Sequence, residues 1–172
     1  MTTEASNPDI EIKDLYKLLV DTRNLEINLF WQRSNYFLAL NSGIAFAFFN
    51  LNDSKVPYAL VFAVFGLFTS LLWFWVCLGG KFWQARWEHR LQVFEKTHFP
   101  HLEFFAATPV KIKRDAVQGL AFFRLSGLQR VFYRMALRKP SVSYSMIRLS
   151  ALFVLAWAAF ITIRILLKHT PT

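Results

Sequence analysis

From Val56 through Gly80 the chain carries no charged residue, and this run constrains the fold more than any other feature. A helix needs roughly 20 predominantly apolar residues to cross the hydrocarbon core of a bilayer, and this window exceeds that. Composition points the same way. The chain has 172 residues, 55% hydrophobic and only 18% charged, with 19 Phe and 6 Trp. Soluble domains carry about a quarter charged residues. A water-soluble chain of this size would have to bury that apolar excess in one small core. A single cysteine excludes an intrachain disulfide scaffold. Low charge and abundant aromatics exclude intrinsic disorder.

Two further windows resemble the first. Ser34–Asn52 lacks charge but is interrupted by Asn41 and Ser42. Tyr144–His169 is apolar apart from Arg148 near its start and basic residues, including Arg164, near its end. Its arginines would have to snorkel towards opposite interfaces. The expected fold is an all-α membrane protein with a transmembrane hairpin at 34–80, from spans 34–52 and 56–80. An amphipathic cytoplasmic helix at 1–33 precedes it. A basic helical region at 81–143 and a third span at 144–169 follow. The alternative for the third window is a buried or interfacial helix. The first 33 residues show no basic-then-apolar leader, so a cleaved signal peptide is not expected.

Lys and Arg set the orientation. Residues 81–139 hold twelve of the twenty, the first 33 residues hold four, and the short hairpin loop holds only Lys55. The N-terminus and residues 81–139 are therefore expected in the cytoplasm and the hairpin loop outside. If the third window spans, the C-terminal tail is outside too. Trp31, Tyr36, Trp73, Trp75 and Tyr144 would form an aromatic belt at the inner interface.

Outside the spans, residues 10–33 have apolar residues at helical spacing, which predicts an amphipathic helix running on into the first span. After the second span, Trp83, Trp87, Leu91 and Phe94 share a stripe that Pro100 ends. Gly79 and Gly80 alone separate this stripe from the span, so one long helix is expected, bent if anywhere at that pair. Arg130, Arg134 and Arg138 recur at i, i+4, i+8 in the least legible region.

No phosphate-binding glycine loop, zinc-protease helix, nucleophile elbow or CxxC pair occurs. His98 and His101, between Glu95 and Glu103, offer weak metal geometry beside a proline turn, and a solvated helix end is the favoured reading. No catalytic residue, cofactor or metal is expected. The basic stretch 111–139, interleaved with aromatics, could suit single-stranded nucleic acid. Membrane orientation already accounts for that charge, so anionic lipid headgroups are the preferred partner and nucleic acid the lesser one.

Contacts between helices are better signalled. Gly43-x3-Ala47 and Gly66-x3-Ser70 are small-x3-small patterns that let backbones approach. Asn41 has an amide that lipid cannot satisfy and should face another helix or a water-filled space. With Arg148, these residues mark helix faces turned from lipid. A three-helix protomer has little interior for such faces, so self-assembly is expected.

Two segments carry a family resemblance. Leu25–Gly43 and Ser70–Glu95 resemble the RipA family of small octameric bacterial membrane proteins. Matching positions are Glu26, Phe30, Trp31, Arg33 and Asn35, then Ser70, Trp73, Gly80, Lys81, Trp83, Gln84, Trp87, Glu88 and Glu95. A more distant likeness is to the eight-fold membrane accessory of certain RNA-targeting CRISPR systems. The resemblance implies an octameric ring in the bacterial inner membrane. Glu26 and Arg33 lie two helical turns apart, and Lys81 and Glu88 repeat the spacing with opposite polarity. Pairing of those faces, within or between protomers, would orient the ring. The leading expectation is a homo-oligomer enclosing a pore or vestibule, as a membrane-permeabilising stress or defence effector. The competing one is a non-conducting scaffold or regulator that recruits a cytoplasmic protein or anionic lipids for envelope homeostasis.

Overall fold

The computed structural model describes residues 8–50, 56–121, 127, 131–132, 135 and 141–169. Among the described residues four helices have both ends defined, in chain order α1 (Pro8–Asn50), α2 (Val56–His98), α3 (Pro109–Ala121) and α4 (Val142–His169). Among the described residues there is no strand. At 43 residues each, α1 and α2 are about 65 Å long, twice the thickness of a hydrocarbon core. Both run on past the edges of the charge-free windows, as expected, and α2 continues through Gly79-Gly80. The hairpin loop and Arg130, Arg134 and Arg138 lie outside the described residues.

The chain divides into two compact units. Glu26–Trp83 and Val142–Thr172 form one; Met1–Leu25 and Gln84–Ser141 form the other.

In the first unit α1, α2 and α4 form a three-helix bundle. Phe30 meets Gly80, Ser34 Oγ lies 3.8 Å from Cys77 Sγ, and Asn41 bonds Ser70. Numbers rise on one helix as they fall on the other, so α1 and α2 are antiparallel. The same opposition relates α2 to α4: Gly66 lies against Trp157, Trp73 against Phe153 and Lys81 over Tyr144.

Burial along these helices repeats every seven residues. On α2 Ala59, Ala63, Gly66, Ser70, Trp73, Cys77 and Gly80 are buried in alternating steps of four and three, with Thr69 buried beside Ser70. On α1 Phe30, Ser34, Asn41, Ile44 and Phe48 are buried in the same rhythm, with Phe37 half-buried between them. On α4 the rhythm runs through Ser150, Phe153 and Trp157. This is a coiled-coil seam, which 3.5-residue periodicity winds left-handed. The α2 seam is mostly small, so large α1 and α4 side chains enter it and the helices come close. In lipid, where hydrophobicity does not drive helices together, such close packing supplies the attraction. Two apolar clusters result. Ile44, Phe48, Ala59, Ala63 and Trp157 form one; Phe30, Trp73 and Cys77 centre the other.

Among the described residues two helices are long and apolar enough to cross a membrane by length and composition, Tyr58–His98 and Val142–Leu166. The expected 34–52 span is not among them, because Asn35, Asn41, Ser42 and Asn50 dilute it. Only 33% and 11% of their most apolar windows are buried within the chain. The core helix of a soluble protein would be mostly covered, and these are not.

The seam makes a stability prediction. A Cβ on Gly66 would overlap the Trp157 indole, whereas one on Gly43 meets open space. Gly66→Val should cost about 1–3 kcal/mol through overpacking and lower the melting temperature of the detergent-solubilised protein. Gly43→Ala should leave it unchanged or slightly raised, and equal losses in the two variants would contradict the packing described.

Candidate functional site: an intramembrane polar cluster and a buried carboxylate

Asn41 is fully buried at the middle of the α1–α2 seam, with no exposed surface. Its Oδ1 accepts a hydrogen bond from Ser70 Oγ at 2.6 Å and another from Trp157 Nε1 at 3.2 Å. Its Nδ2 donates to the Phe37 carbonyl at 2.9 Å, one turn back on α1. Thr69 Oγ1 donates to the Gly66 carbonyl at 3.0 Å and only grazes Asn41 Oδ1 at 3.5 Å. One amide oxygen thus ties three helices together, with both lone pairs occupied.

Of the two surroundings expected for Asn41, another helix or a water-filled space, the contacts show the first. The Ser70 hydroxyl and the Trp157 indole on neighbouring helices supply its partners, so the protomer buries it alone. Of the two small-x3-small patterns, Gly66 and Ser70 both lie on the seam. Gly43 is exposed and takes no part in packing within the protomer. Arg148 is exposed on α4.

Other resemblance residues are used differently. Phe30 is buried against Gly80, where an added Cβ would lie 2.6 Å from Phe30 Cδ2. Trp31 is half-buried against the Phe30–Trp73–Cys77 cluster. Arg33, Asn35 and Trp83 are exposed, and Glu26 is half-buried. Lys81 Nζ sits 5.8 Å from the centroid of the Tyr144 ring, a cation–π contact. Among the described residues no ion pair joins Glu26 or Arg33 to Lys81 or Glu88. The register explains it within a protomer: Phe30 is level with Gly80, so Glu26 lies a full turn beyond Lys81.

The second unit is organised around a different polar group, Glu95, one of the positions matched in the resemblance. Gln84, Leu91 and Glu95 are buried on α2, with Trp87 half-buried between them. Glu95 has no exposed surface. Tyr16 Oη donates to its Oε1 at 3.2 Å. Phe104 N donates to Oε1 at 3.0 Å, and Phe105 N and Ala106 N donate to Oε2 at 2.7 and 2.6 Å. Three successive backbone N–H groups make a concave nest for an anion. Glu103, immediately before them, has φ 48°, the left-handed backbone that turns those groups inward. Four donors converge on a group that, ionised, only accepts. Glu95 thereby folds the chain back after α2. α3 then starts on Pro109 with Thr108 as N-cap, its Oγ1 accepting from Lys111 N at 3.3 Å.

Aromatic and cationic groups surround this corner. The Tyr16 ring stacks on Phe94 and meets Phe99 edge-on. Arg23 lies 3.5 Å from the Glu88 carboxylate and 5.4 Å from the Phe105 centroid. Glu88 therefore pairs with Arg23, a half-exposed contact worth about 1 kcal/mol or less. His98 stacks on Phe94 and contacts the Phe94 carbonyl at 3.1 Å, so its ring is engaged within its own helix. Lys111 pairs with Glu103.

Both polar centres make predictions. Within membranes, double-mutant cycles on such hydrogen bonds average about 0.6 kcal/mol and reach about 1.7. A cycle combining Asn41→Leu and Ser70→Ala should give a coupling in the upper part of that range, read from unfolding of the purified protein. Strict additivity would contradict the geometry. At the other centre, burial, the Glu95 charge and the hydrogen bond to it raise the Tyr16 phenol above its ordinary pKa of 10.0. A phenol raised in the folded state stabilises it while protonated. That contribution is full below pH 10 and is lost as pH climbs through the raised value. Between about pH 9 and about pH 11 the wild type should lose more melting temperature than Tyr16→Phe.

No curated protein and no solved structure matches the chain. The model of the octameric membrane protein family (8xMP) matches residues 13–166, a stretch that takes in both the Asn41 cluster and the Glu95 corner, and the chain belongs to that family.

Proposed function

We propose that the protein is a homo-octameric ring in the bacterial inner membrane, enclosing a water-filled pore or vestibule. In this reading each protomer crosses the bilayer three times, on α1, α2 and α4. The observation that carries it is how little apolar surface the protomer hides. With 11% of the most apolar α4 window buried, lipid or further copies must cover the rest, and the family is octameric. Eight α-helices side by side at about 8–10 Å spacing close on an opening of order 10 Å. Side chains do not fill such a space, so either lipid or water occupies it.

The bias of Lys and Arg towards residues 81–139 supports a cytoplasmic location for that region and the N-terminus. The likeness of Leu25–Gly43 and Ser70–Glu95 to the RipA family belongs to the same reading. A role in permeabilising the membrane under stress or attack follows from a pore, and the reading assigns no catalysis, cofactor or metal.

One observation favours the scaffold reading. α3 exposes Val110 and Val117 beside Lys113 and Arg114, an amphipathic basic face suited to an acidic protein or anionic lipid. The two readings part on conductance. Native mass spectrometry should give eight copies of the 20.1 kDa chain, and that complex in proteoliposomes should release a small trapped dye. Assembled octamers in a tight bilayer, together with a stoichiometric copurifying partner, would favour the scaffold.

A further inference from the structure

The outward faces of the three bundle helices differ in kind. α2 presents Val61, Phe65, Phe68, Leu72 and Trp75, and α4 presents Leu152, Leu155 and Ile163. Each of these runs suits hydrocarbon. α1 exposes Tyr36, Leu40, Phe46 and Phe49 as well, but one stripe of it is made of Asn28, Gln32, Asn35, Ala39, Ser42 and Gly43, all exposed. From Asn28 to Ser42 these positions fall in steps of four and three, with Gly43 adjoining, on the side opposite Phe30, Ser34 and Asn41. The helix therefore has two polar sets. Asn41 on the inner side is satisfied by Ser70 and Trp157. The outer amides project away from the protomer.

Asn28 and Gln32 precede the 34–52 window, and the Ser42 hydroxyl donates to the Leu38 carbonyl at 2.8 Å. Within the window Asn35 is the outward amide that lipid would leave uncompensated, at a cost of about 2–7 kcal/mol. A neighbouring copy offers poor compensation. In a cyclic ring the interface is heterologous, so one face of a protomer meets a different face of the next. The outward faces of α2 and α4 are apolar apart from Ser145 and Arg148 near the start of α4 and Thr162 further on. Neither provides a polar run to match the α1 stripe. Water does, and the axis of the ring is where every copy can present the same face to it.

We infer that the outward face of α1, from Asn28 to Gly43, is the wall of the water-filled space at the centre of the octamer. This rests on the ring reading above and identifies its lining. The lining is uncharged: amides towards one end, small residues beyond, then Phe46. An uncharged wall orders water and small polar solutes without selecting strongly for the sign of an ion.

Single cysteines test the assignment, because the native Cys77 is buried and the unmodified chain serves as the blank. Ala39→Cys and Ser42→Cys change little volume; Phe68→Cys and Leu155→Cys report the other two faces. Each octamer, checked by native mass spectrometry, is reconstituted in liposomes and exposed to a charged, membrane-impermeant methanethiosulfonate. The α1 cysteines should react at least tenfold faster than those on α2 and α4, and their modification should reduce dye release. Equal rates on all three helices, or oxidative crosslinking of Ala39→Cys to a cysteine on a neighbour's α4, would overturn the assignment. Dye release with unreactive α1 cysteines would also overturn it while leaving the pore intact. Fast α1 labelling in a tight bilayer would uphold the water-lined wall and reject conduction.

Discussion

An amide inside a bilayer must find its hydrogen bonds within the protein, and much of the bundle follows from how Asn41 does so. To reach Asn41, the Ser70 hydroxyl needs α2 to approach closely, and the small residues of the α2 seam permit that. To reach it from the other side, Trp157 must lie flat over Gly66, where any side chain would exclude it. The hydrogen bonds and the close packing are therefore one arrangement. Shifting α1 along α2 by one residue would move Asn41 off Ser70 and bring large side chains against large ones. Polar residues at single coiled-coil positions fix register in this way. Here the register also sets which α1 residues point outward.

The charge-free runs made the apolar segments, the antiparallel hairpin and the two long helices legible, because in a bilayer charge must be absent over a known length. Gly66 and Ser70 were legible as a contact for the same kind of reason. For Asn41 the sequence points to another helix or a water-filled space, and it is the tryptophan on α4 and the serine on α2 that decide between them. A signal for that existed. Ala59, Ala63, Gly66, Ser70, Cys77 and Gly80 follow heptad steps, and the period marks the face of α2 that the other helices enter. Hydrophobic periodicity alone hides it, since the rest of the helix is apolar as well.

The Glu95 corner was illegible for another reason. Glu95 reads as one more charged residue at a helix end, and nothing local announces that residues 104–106 return their N–H groups to it. The nest depends on a left-handed backbone at Glu103, where no glycine advertises the turn. Tyr16, the fourth donor, comes from far away in the chain. Likewise, the spacing on separate helices allowed Glu26 to pair with Lys81 either within one protomer or between protomers, and the structure bears on the first alone. Their relative height depends on the seam, which spacing within one helix cannot reveal.

The two sides of α1 differ in what the protomer needs from them. Replacing the outer Asn28, Gln32 and Asn35 with leucine would cost the bundle nothing visible, because none of them enters a seam or an apolar cluster. It would also make α1 a better membrane helix. Stability therefore gives no reason for their polarity, whereas Asn41 has one in its two bonded neighbours. Asn28 and Gln32 precede the 34–52 window, where water outside the bilayer suits them; Asn35, inside it and on the one bundle helix that fails to look like a membrane span, calls for an explanation outside the protomer. Water at the centre of a ring would make the amides favourable there and would exempt α1 from the apolarity that α2 and α4 display.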